Sequence, residues 1–321
     1  MSLLEVSGLH VWFAPPHAPE VHAVQGVSFA LDPGERFGLV GESGCGKTTT
    51  ILAMMGLLPP NASAAGEVLI NGQNILAGGE DSVQAYRWKD VAMVFQGAMN
   101  ALNPVKKVGW QIAEPMAFHG VAQGAAARKR AGELLEMVGI PAAAGDRYPH
   151  EFSGGMRQRA AIAMALACEP KILLADEPTT ALDVMVQAQI LELLTGLSRD
   201  LGLALVLVTH DLPVVAQVCE RAAVMYAGEI VEAGPTEALY HDPRHPYTRL
   251  LFAATPDLYG QDAVISIPGA PPRLDTETAG CPFRPRCDVP LARCGDEHPE
   301  LRLVQPGHRA ACHRNDLVGA S

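Results

Sequence analysis

The feature that most constrains this chain is a glycine-rich segment with the sequence Gly41-Glu42-Ser43-Gly44-Cys45-Gly46-Lys47-Thr48-Thr49. The apolar run at 35–40 predicts a buried strand before it, and residues 48–58 have helical spacing after it. Glycines let backbone N–H groups turn inward around an anion, and the helix N-terminus adds partial positive charge. The segment therefore predicts a nucleotide-binding phosphate loop, in which Lys47 reaches the β- and γ-phosphates and Thr48 places its hydroxyl on Mg²⁺.

Length and composition restrict the class of protein. The chain has 321 residues, of which 48% are hydrophobic, enough for one large domain or two modest ones. The longest apolar stretches fall far short of the roughly 20 residues that span a bilayer, and no signal-peptide pattern precedes Leu3. We therefore expect a cytosolic protein. A net charge of −11 and the lack of a basic stripe argue against nucleic acid as a partner.

Hydrophobic patterning divides the chain into regions. Residues 2–34 alternate apolar and polar side chains, which predicts antiparallel strands. Residues 35–96 and 152–232 hold runs typical of buried strands, separated by helical segments, as in an α/β sheet. Residues 97–151 have helical periodicity and no convincing strand. From Pro235 onward, proline and glycine become frequent, which predicts short helices followed by irregular loops.

A second chemical signature is an apolar run at 172–175 that ends in two carboxylates, Asp176 and Glu177. At the C-terminal edge of a parallel sheet, both carboxylates would lie beside the phosphate loop. Asp176 would hold Mg²⁺ through its water shell. Glu177 would polarise the attacking water, because hydrolysis of a γ-phosphate needs a base or a water-orienting group. The alternative is a solvated acidic turn, which the upstream phosphate loop disfavours.

A third signature, at residues 152–156, reads Phe-Ser-Gly-Gly-Met and opens a helix that we expect to run to about residue 168. Ser153 is the expected N-cap, so this segment is a second anion-binding helix end. One nucleotide would not use both helix ends in the same half-site without a special fold. We therefore predict that Ser153, Gly154 and Gly155 contact a nucleotide held by another subunit.

At this point the sequence resembles the ATP-binding cassette (ABC) family, whose signature motif is Leu-Ser-Gly-Gly-Gln and whose two cassettes sandwich two ATP molecules. Phe152 replaces the family's Leu, and Met156 its Gln. The resemblance covers residues 1–240 and implies an α/β fold: a P-loop ABC ATPase core with a RecA-like parallel sheet, an N-terminal antiparallel β subdomain and a helical insert at about 97–151. Residues 241–321 would form a small, irregular, metal-binding extension.

The resemblance also implies roles for residues outside these three motifs. Gln96 matches the Q-loop glutamine that ligates Mg²⁺ and relays contact with the transmembrane partner. Asp183 matches the D-loop aspartate that communicates across the dimer, and His210 matches the switch histidine that contacts the γ-phosphate. The family stacks an aromatic ring on adenine. We assign Phe13 to that contact, with Trp12 as the alternative, because neighbouring strand residues face opposite ways.

Three further stretches resemble the ATP-binding subunits of dipeptide, oligopeptide and nickel permeases, at residues 101–105, 148–150 and 245–249. This resemblance implies an importer ATPase, peripheral at the cytoplasmic face of the membrane. Its implied partners are a second ABC ATPase subunit of the same or a related chain, two membrane permease subunits and, indirectly, an extracytoplasmic solute-binding protein. Peptides are the favoured substrate, and nickel or another small solute is the alternative.

The segment after Gln96 is where we expect the membrane subunits to dock. Its apolar residues Ala98, Met99 and Leu102 would face the permease, by analogy with the family.

Four of the seven cysteines lie in the tail, at Cys281, Cys287, Cys294 and Cys312, where a cytosolic protein is not expected to form disulfides. Intervals of five, six and seventeen residues fit neither a zinc ribbon nor a ferredoxin run, so spacing alone leaves the metal open. Some members of the permease family carry a four-iron, four-sulfur (4Fe-4S) cluster on these cysteines, and the resemblance favours that cofactor. Zn²⁺ and free thiols are the alternatives.

The arginines of the tail, Arg284, Arg286 and Arg293, would offset the charge of a thiolate cluster or form an ordinary solvated basic face.

Two functions of other classes compete with the importer. A soluble ABC ATPase that acts on DNA or ribosomes would carry a long coiled-coil insertion or two cassettes, whereas this chain has one phosphate loop and no heptad run. A redox-responsive iron–sulfur regulator would use ATP only as a ligand. The presence of both Glu177 and His210 argues against such an inactive cassette.

Overall fold

The computed structural model describes residues 2–97, 101–254, 267–276 and 278–314. Its strands are β1 (Leu4–Phe13), β2 (Val21–Leu31), β3 (Arg36–Val40), β4 (Ala62–Ile70), β5 (Gln73–Asn74), β6 (Val91–Val94), β7 (Ile172–Asp176), β8 (Ala204–Thr209), β9 (Arg221–Tyr226), β10 (Glu229–Pro235), β11 (Arg302–Gln305) and β12 (His308–Ala310). Its α-helices are α1 (Lys47–Met54), α2 (Gly79–Tyr86), α3 (Val108–Phe118), α4 (Gly124–Met137), α5 (Gly154–Ala165), α6 (Val184–Leu201), α7 (Leu212–Val218), α8 (Thr236–His241) and α9 (Pro246–Ala253).

The chain forms two compact units. One comprises Met1–Leu31, Arg36–Ala77 and Leu207–Ser321, and the other comprises Asp32–Glu35 and Gly78–Val206. We call them the phosphate-loop unit and the helical unit. The chain passes from the helical unit to the phosphate-loop unit within β8, whose residues are all buried.

The phosphate-loop unit contains the antiparallel N-terminal sheet that the alternating pattern predicts. Its strand order is β2-β1-β4-β5, and Leu4 pairs with Leu31 on one side and Ile70 on the other. The apolar positions of β1 point into the core, so Leu4, Val6 and Leu9 are buried. The alternation therefore reflects a sheet with one buried face.

The same unit holds a second group of strands, in which β9 pairs in parallel with β3 and antiparallel with β10. The edge of β10 carries the hairpin β11–β12, through pairs such as Glu232 with Ala310. We predicted only irregular loops for this part of the tail. The prediction missed the hairpin because its strands are short and mostly polar on the exposed side, so they lack a clear apolar alternation.

The helical unit contains the parallel pair β6 and β7, in which Val91 faces Ile172 and Val94 faces Ala175. Both strands are buried along their whole length, as continuous apolar runs predict. Helices α3, α4 and α5 pack on one another in this unit. No strand occurs in the described part of residues 97–151, in agreement with the helical periodicity there.

Two predicted helices are shorter than expected. Helix α1 ends at Met54 instead of Leu58, since Gly56 adopts a left-handed conformation with φ of 59°. Helix α5 ends at Ala165, before Glu169, which also has positive φ. Among the described helices, none has the combination of length and apolar character that a membrane span requires.

Candidate functional site

The phosphate loop lies between β3 and α1, as predicted, and its shape depends on glycine. Gly41, Gly44 and Gly46 all have positive φ, at 155°, 81° and 107°. A Cβ on Gly41 would lie 2.2 Å from the carbonyl oxygen of Met225, and one on Gly46 would lie 2.5 Å from that of Ala23. Only glycine is therefore tolerated at these two positions without a shift of the backbone.

Lys47 concentrates positive charge inside this loop. Its side chain is buried, and Nζ donates hydrogen bonds to the carbonyl oxygens of Gly41 at 2.7 Å and Glu42 at 2.9 Å. In contrast, Ser43, Gly44 and Thr48 are exposed. An ammonium group and a helix N-terminus behind an exposed glycine-rich turn fit the phosphates of a nucleotide, and a threonine at position 48 is suited to bind Mg²⁺.

Two residues of the tail, which sequence reasoning did not assign to the site, contact the phosphate loop. The Glu42 backbone N–H donates to the Tyr247 hydroxyl at 2.9 Å, and the Arg286 guanidinium donates to the Glu42 carboxylate. Arg286 therefore pairs with a carboxylate and is 4% exposed, so the alternative of a solvated basic face is wrong for this residue. The contacts join positions 205 and 244 residues apart, so local sequence patterns carried no signal for them.

The two aromatic candidates for adenine stacking end β1. The ring of Trp12 is stacked on His22, with centroids 4.7 Å apart, and on His10 at 5.4 Å. Phe13 is half-buried at the last position of the strand. Because Trp12 already packs against two rings of its own unit, Phe13 stays our choice for the adenine contact. His210 follows β8 directly, and its side chain is exposed.

In the helical unit, the structure brings Gln96, Glu177 and Thr180 together. Gln96 Nε2 and Thr180 Oγ1 each donate to Glu177 Oε2 at 2.9 Å. Glu177 has a left-handed φ of 43°, a conformation that costs a non-glycine residue about 1 kcal/mol or more and is common at functional sites. Asp176, the last residue of β7, is buried. Thr180 is the residue of this cluster that sequence reasoning missed.

The signature segment begins α5 as expected. The Ser153 hydroxyl accepts a hydrogen bond from the Met156 N–H at 3.3 Å, which makes it the N-cap. Asp183 has the same function for α6, where it accepts from the Val186 N–H at 3.0 Å. A Cβ on Gly155 would lie 2.8 Å from a methyl group of Val186, so the two helix ends are in close contact and a larger residue at 155 would displace that side chain.

The predicted docking segment is corrected in part. Leu102 is only 4% exposed and packs in the core of the helical unit, so it does not face a partner. Ala98 and Met99 lie outside the described residues. Trp110 and Phe118 are among the large apolar side chains nearby that are exposed. These two line a groove of about 770 Å³ between α3 and α4.

The cysteines of the tail lie in one region, where the Cys281 N–H donates to the Cys294 carbonyl at 2.9 Å. Burial, with smaller contributions from neighbouring Cys294 and Cys312, raises the pKa of the Cys281 thiol to about 11. Burial is also the main reason why the pKa values of Cys287 and Cys312 are raised. In the described part of the chain, no three His, Cys, Asp or Glu side chains are grouped closely enough to hold a metal ion. The structure therefore does not support the predicted metal-binding extension.

Comparison with known proteins gives two family matches. Residues 24–180 match the family described as ABC transporter, and residues 231–294 match the family described as the C-terminal region of oligopeptide/dipeptide transporters.

Curated relatives match along nearly the whole chain. A probable peptide ABC transporter ATP-binding protein of Sinorhizobium fredii is 46% identical over 98% of this chain and 96% of its own length. The oligopeptide transport ATP-binding protein OppD of Bacillus subtilis is 46% identical over 95% of this chain and 87% of its own. Among solved structures, the ATP-binding cassette MJ0796, described as dimeric and bound to ADP and Pi, is 30% identical with a TM-score of 0.64, covering 73% of this chain and 98% of that one.

Proposed function

This chain belongs to the ABC transporter family of ATP-binding proteins, and we propose from that premise that it is the ATP-hydrolysing subunit of a peptide importer. The observation that carries the proposal is the match to the oligopeptide/dipeptide transporter C-terminal region, because that region separates this chain from cassettes in general. The relatives named as peptide and oligopeptide transport proteins support the same substrate class. Nickel is the alternative substrate.

The phosphate loop is proposed to bind the nucleotide. Lys47 would donate to the β- and γ-phosphate oxygens in place of the loop carbonyls that it now contacts, and the glycine N–H groups would complete the cradle. Thr48, Gln96 and Asp176 would hold Mg²⁺, which neutralises phosphate charge when bound. Other residues proposed to contact the nucleotide are Phe13, Glu42, Ser43, Cys45 and Thr49.

Hydrolysis is proposed to depend on Glu177. Its carboxylate is oriented by Gln96 and Thr180, which both donate to Oε2, and it would polarise the attacking water. His210 would contact the γ-phosphate. Such positioning is the main catalytic device in phosphoryl transfer, because the protein forms no covalent bond to the phosphate.

We propose that two cassettes act together. The nucleotide of a partner cassette would be contacted by Ser153, Gly154 and Gly155. Asp183 would be coupled to that contact, because it caps α6, the helix that packs on Gly155. The partner is a second ABC ATPase subunit. The groove lined by Trp110 and Phe118 would receive a membrane permease subunit. The protein would then lie at the cytoplasmic face of the membrane.

An uptake assay tests the proposed substrate class. A strain that lacks the gene is supplied with wild-type protein or Lys47→Ala, and uptake of a labelled dipeptide and of Ni²⁺ is measured. We expect wild-type protein to restore peptide uptake and Lys47→Ala to fail. Restoration of Ni²⁺ uptake with unchanged peptide uptake would assign the chain to nickel.

An iron–sulfur cluster on Cys281, Cys287, Cys294 and Cys312 remains a proposal. It is supported by the proximity of these thiols, because Cys294 and Cys312 raise the pKa of Cys281, and Cys287 and Cys294 raise that of Cys312. The thiols are not grouped as metal ligands in this structure. Protein purified without oxygen should be brown, with iron and acid-labile sulfide in equal amounts, and any single Cys→Ser change should bleach it. A colourless preparation that contains zinc, or freely reactive thiols, would contradict the proposal.

A further inference from the structure

The tail carries a buried cation that pairs with the phosphate loop. Arg286 lies in a short 3₁₀ helix at Arg284–Arg286, next to Cys287. Its Nη1 donates to Glu42 Oε2 at 2.6 Å, and its Nη2 donates to Glu42 Oε1 at 2.9 Å. This forked geometry with two parallel bonds is the strongest form of arginine–carboxylate pairing.

The environment of Arg286 holds the pair in place. Its side chain is 4% exposed, compared with 26% for that of Glu42. Nε donates to the carbonyl oxygen of Pro268 at 2.9 Å, and the guanidinium lies 5.8 Å from the centre of the Tyr226 ring. The hydrogen bonds to Glu42 are the main reason why the pKa of Arg286 is raised. A charge this deeply buried requires a partner, so the position of the Glu42 carboxylate is fixed.

A second contact holds the backbone of Glu42 in place. The Glu42 N–H donates to the hydroxyl of Tyr247, a fully buried residue of α9. Tyr247 packs against Tyr226 and Phe283, with ring centroids 4.6 and 5.4 Å away. Phe283 and Arg286 both belong to the segment between Cys281 and Cys287. The cysteine segment therefore contacts the Glu42 side chain directly, through Arg286, and the Glu42 backbone indirectly, through Tyr247, on which Phe283 packs.

The charge of Glu42 makes this contact important for nucleotide binding. A carboxylate inside a phosphate loop repels the phosphates of ATP unless it is neutralised, and the repulsion is strengthened by a partly buried setting. Arg286 supplies the neutralising charge and directs the carboxylate toward the tail. Lys47 does not replace it, because its Nζ bonds the backbone carbonyls of Gly41 and Glu42.

We propose that Arg286 is a positioning residue of the ATP site, which neutralises Glu42 and thereby makes the C-terminal tail a requirement for tight ATP binding. This inference rests on the proposed function of residues 41–49 as the phosphate loop. Arg286 acts through Glu42 and needs no contact with the nucleotide.

The test is a binding titration of the full chain with a non-hydrolysable ATP analogue and Mg²⁺. Arg286→Met should raise the Kd about tenfold, because it leaves an unpaired carboxylate in the loop. Arg284→Met is the matched control, since Arg284 is an exposed arginine of the same 3₁₀ helix, and its Kd should equal that of wild type. Thermal unfolding of each variant is measured in parallel.

A double variant separates charge from structure. Glu42→Gln combined with Arg286→Met removes both charges, so its Kd should lie within about twofold of that of Glu42→Gln alone. The defect of Arg286→Met alone should shrink as ionic strength rises, because salt screens the repulsion. A merely structural role of Arg286 would give a double variant as weak as Arg286→Met, with no dependence on salt.

A milder variant keeps the test decisive if Arg286→Met does not fold. Arg286→Lys retains a charge but loses the forked pair, so its Kd should rise about threefold, and Glu42→Gln should abolish that rise. A wild-type Kd for Arg286→Met would overturn the inference. If Arg286→Met does not fold, a wild-type Kd for Arg286→Lys would overturn it. Lys47→Ala shows which assignment has failed. If Lys47→Ala no longer binds ATP while the Arg286 variants bind it normally, only the inference about Arg286 fails. If Lys47→Ala itself binds ATP normally, the phosphate-loop assignment fails.

Discussion

At the scale of single residues, the chemistry of this chain depends on side chains whose surroundings fix one orientation. Glu177 is the clearest case, because two donors converge on one of its carboxylate oxygens and its backbone has a left-handed φ. Neither feature is needed for a solvated acidic turn. Both are expected of a carboxylate that must be held in one position to polarise a water molecule.

Replacing that carboxylate should separate binding from hydrolysis. Glu177→Gln keeps an oxygen that accepts from Gln96 and Thr180 but removes the negative charge. We expect ATP turnover to fall by on the order of a hundredfold or more with the Kd for ATP unchanged, and ATP-bound dimers to accumulate. Steady-state hydrolysis and size-exclusion chromatography with ATP measure the two effects. Glu192→Gln, an exposed carboxylate of α6, is the control, and wild-type turnover in Glu177→Gln would remove Glu177 from its role.

The residues that could be predicted from sequence are those that belong to short motifs. The glycines of the phosphate loop were identifiable because their spacing implies a specific backbone shape, and the structure gives them positive φ. Arg286 and Tyr247 were not, because each contacts Glu42 from a position more than two hundred residues away along the chain. Long-range pairs of this kind are formed by the tertiary fold, and they leave no local motif in a single sequence.

At the scale of elements, α9 depends on a buried histidine. The ring Nδ1 of His245 accepts a hydrogen bond from the Tyr247 backbone N–H at 3.0 Å, which caps the helix. The backbone N–H of His245 donates to the Glu232 carboxylate at 3.0 Å. Burial lowers the pKa of His245 to about 4. The folded state therefore favours the neutral ring, whose Nδ1 is able to accept the capping hydrogen bond.

This cap predicts a loss of stability in mild acid. The folded pKa lies below the ordinary value of 6.5, so the stabilising effect is complete above pH 6.5 and is lost as pH falls toward 4. Between pH 7 and pH 5 the free energy of unfolding should decrease by about 2 kcal/mol through this group. Urea denaturation at both pH values measures it. His245→Asn should flatten the dependence, whereas the exposed His241→Asn should not, and equal slopes in all three proteins would contradict the assignment.

The elements themselves were largely predictable where hydrophobic periodicity is strong. The antiparallel strands of β1 and β2 and the buried strands β6, β7 and β8 follow from their apolar patterns. The hairpin β11–β12 was missed, since its strands are short and its pairing with β10 is set by tertiary contacts. Leu102 was predicted to face the permease but is buried. The sequence alone did not distinguish the two, because an apolar residue after a motif fits both a docking surface and a core.

At the scale of the whole molecule, the proposed function requires ATP hydrolysis to be coupled to a membrane partner. The groove beside Trp110 and Phe118 is the surface that we propose for that contact, because large apolar side chains are rarely exposed together without a partner. Trp110→Ser should reduce peptide uptake at least several-fold while leaving the Kd for ATP unchanged. Leu201→Ser, an exposed apolar residue outside the groove, is the control. Normal uptake by Trp110→Ser would exclude the groove as the coupling surface.

The most direct test of the central claim is ATP hydrolysis by the complete transporter in proteoliposomes, with the permease subunits, the partner cassette and the solute-binding protein present. We predict that a dipeptide or oligopeptide stimulates hydrolysis, that Ni²⁺ does not, and that Glu177→Gln in this chain abolishes the stimulated rate. A hydrolysis rate that is the same with and without peptide, or that survives the Glu177→Gln change in full, would contradict the assignment of this chain as the ATPase subunit of a peptide importer.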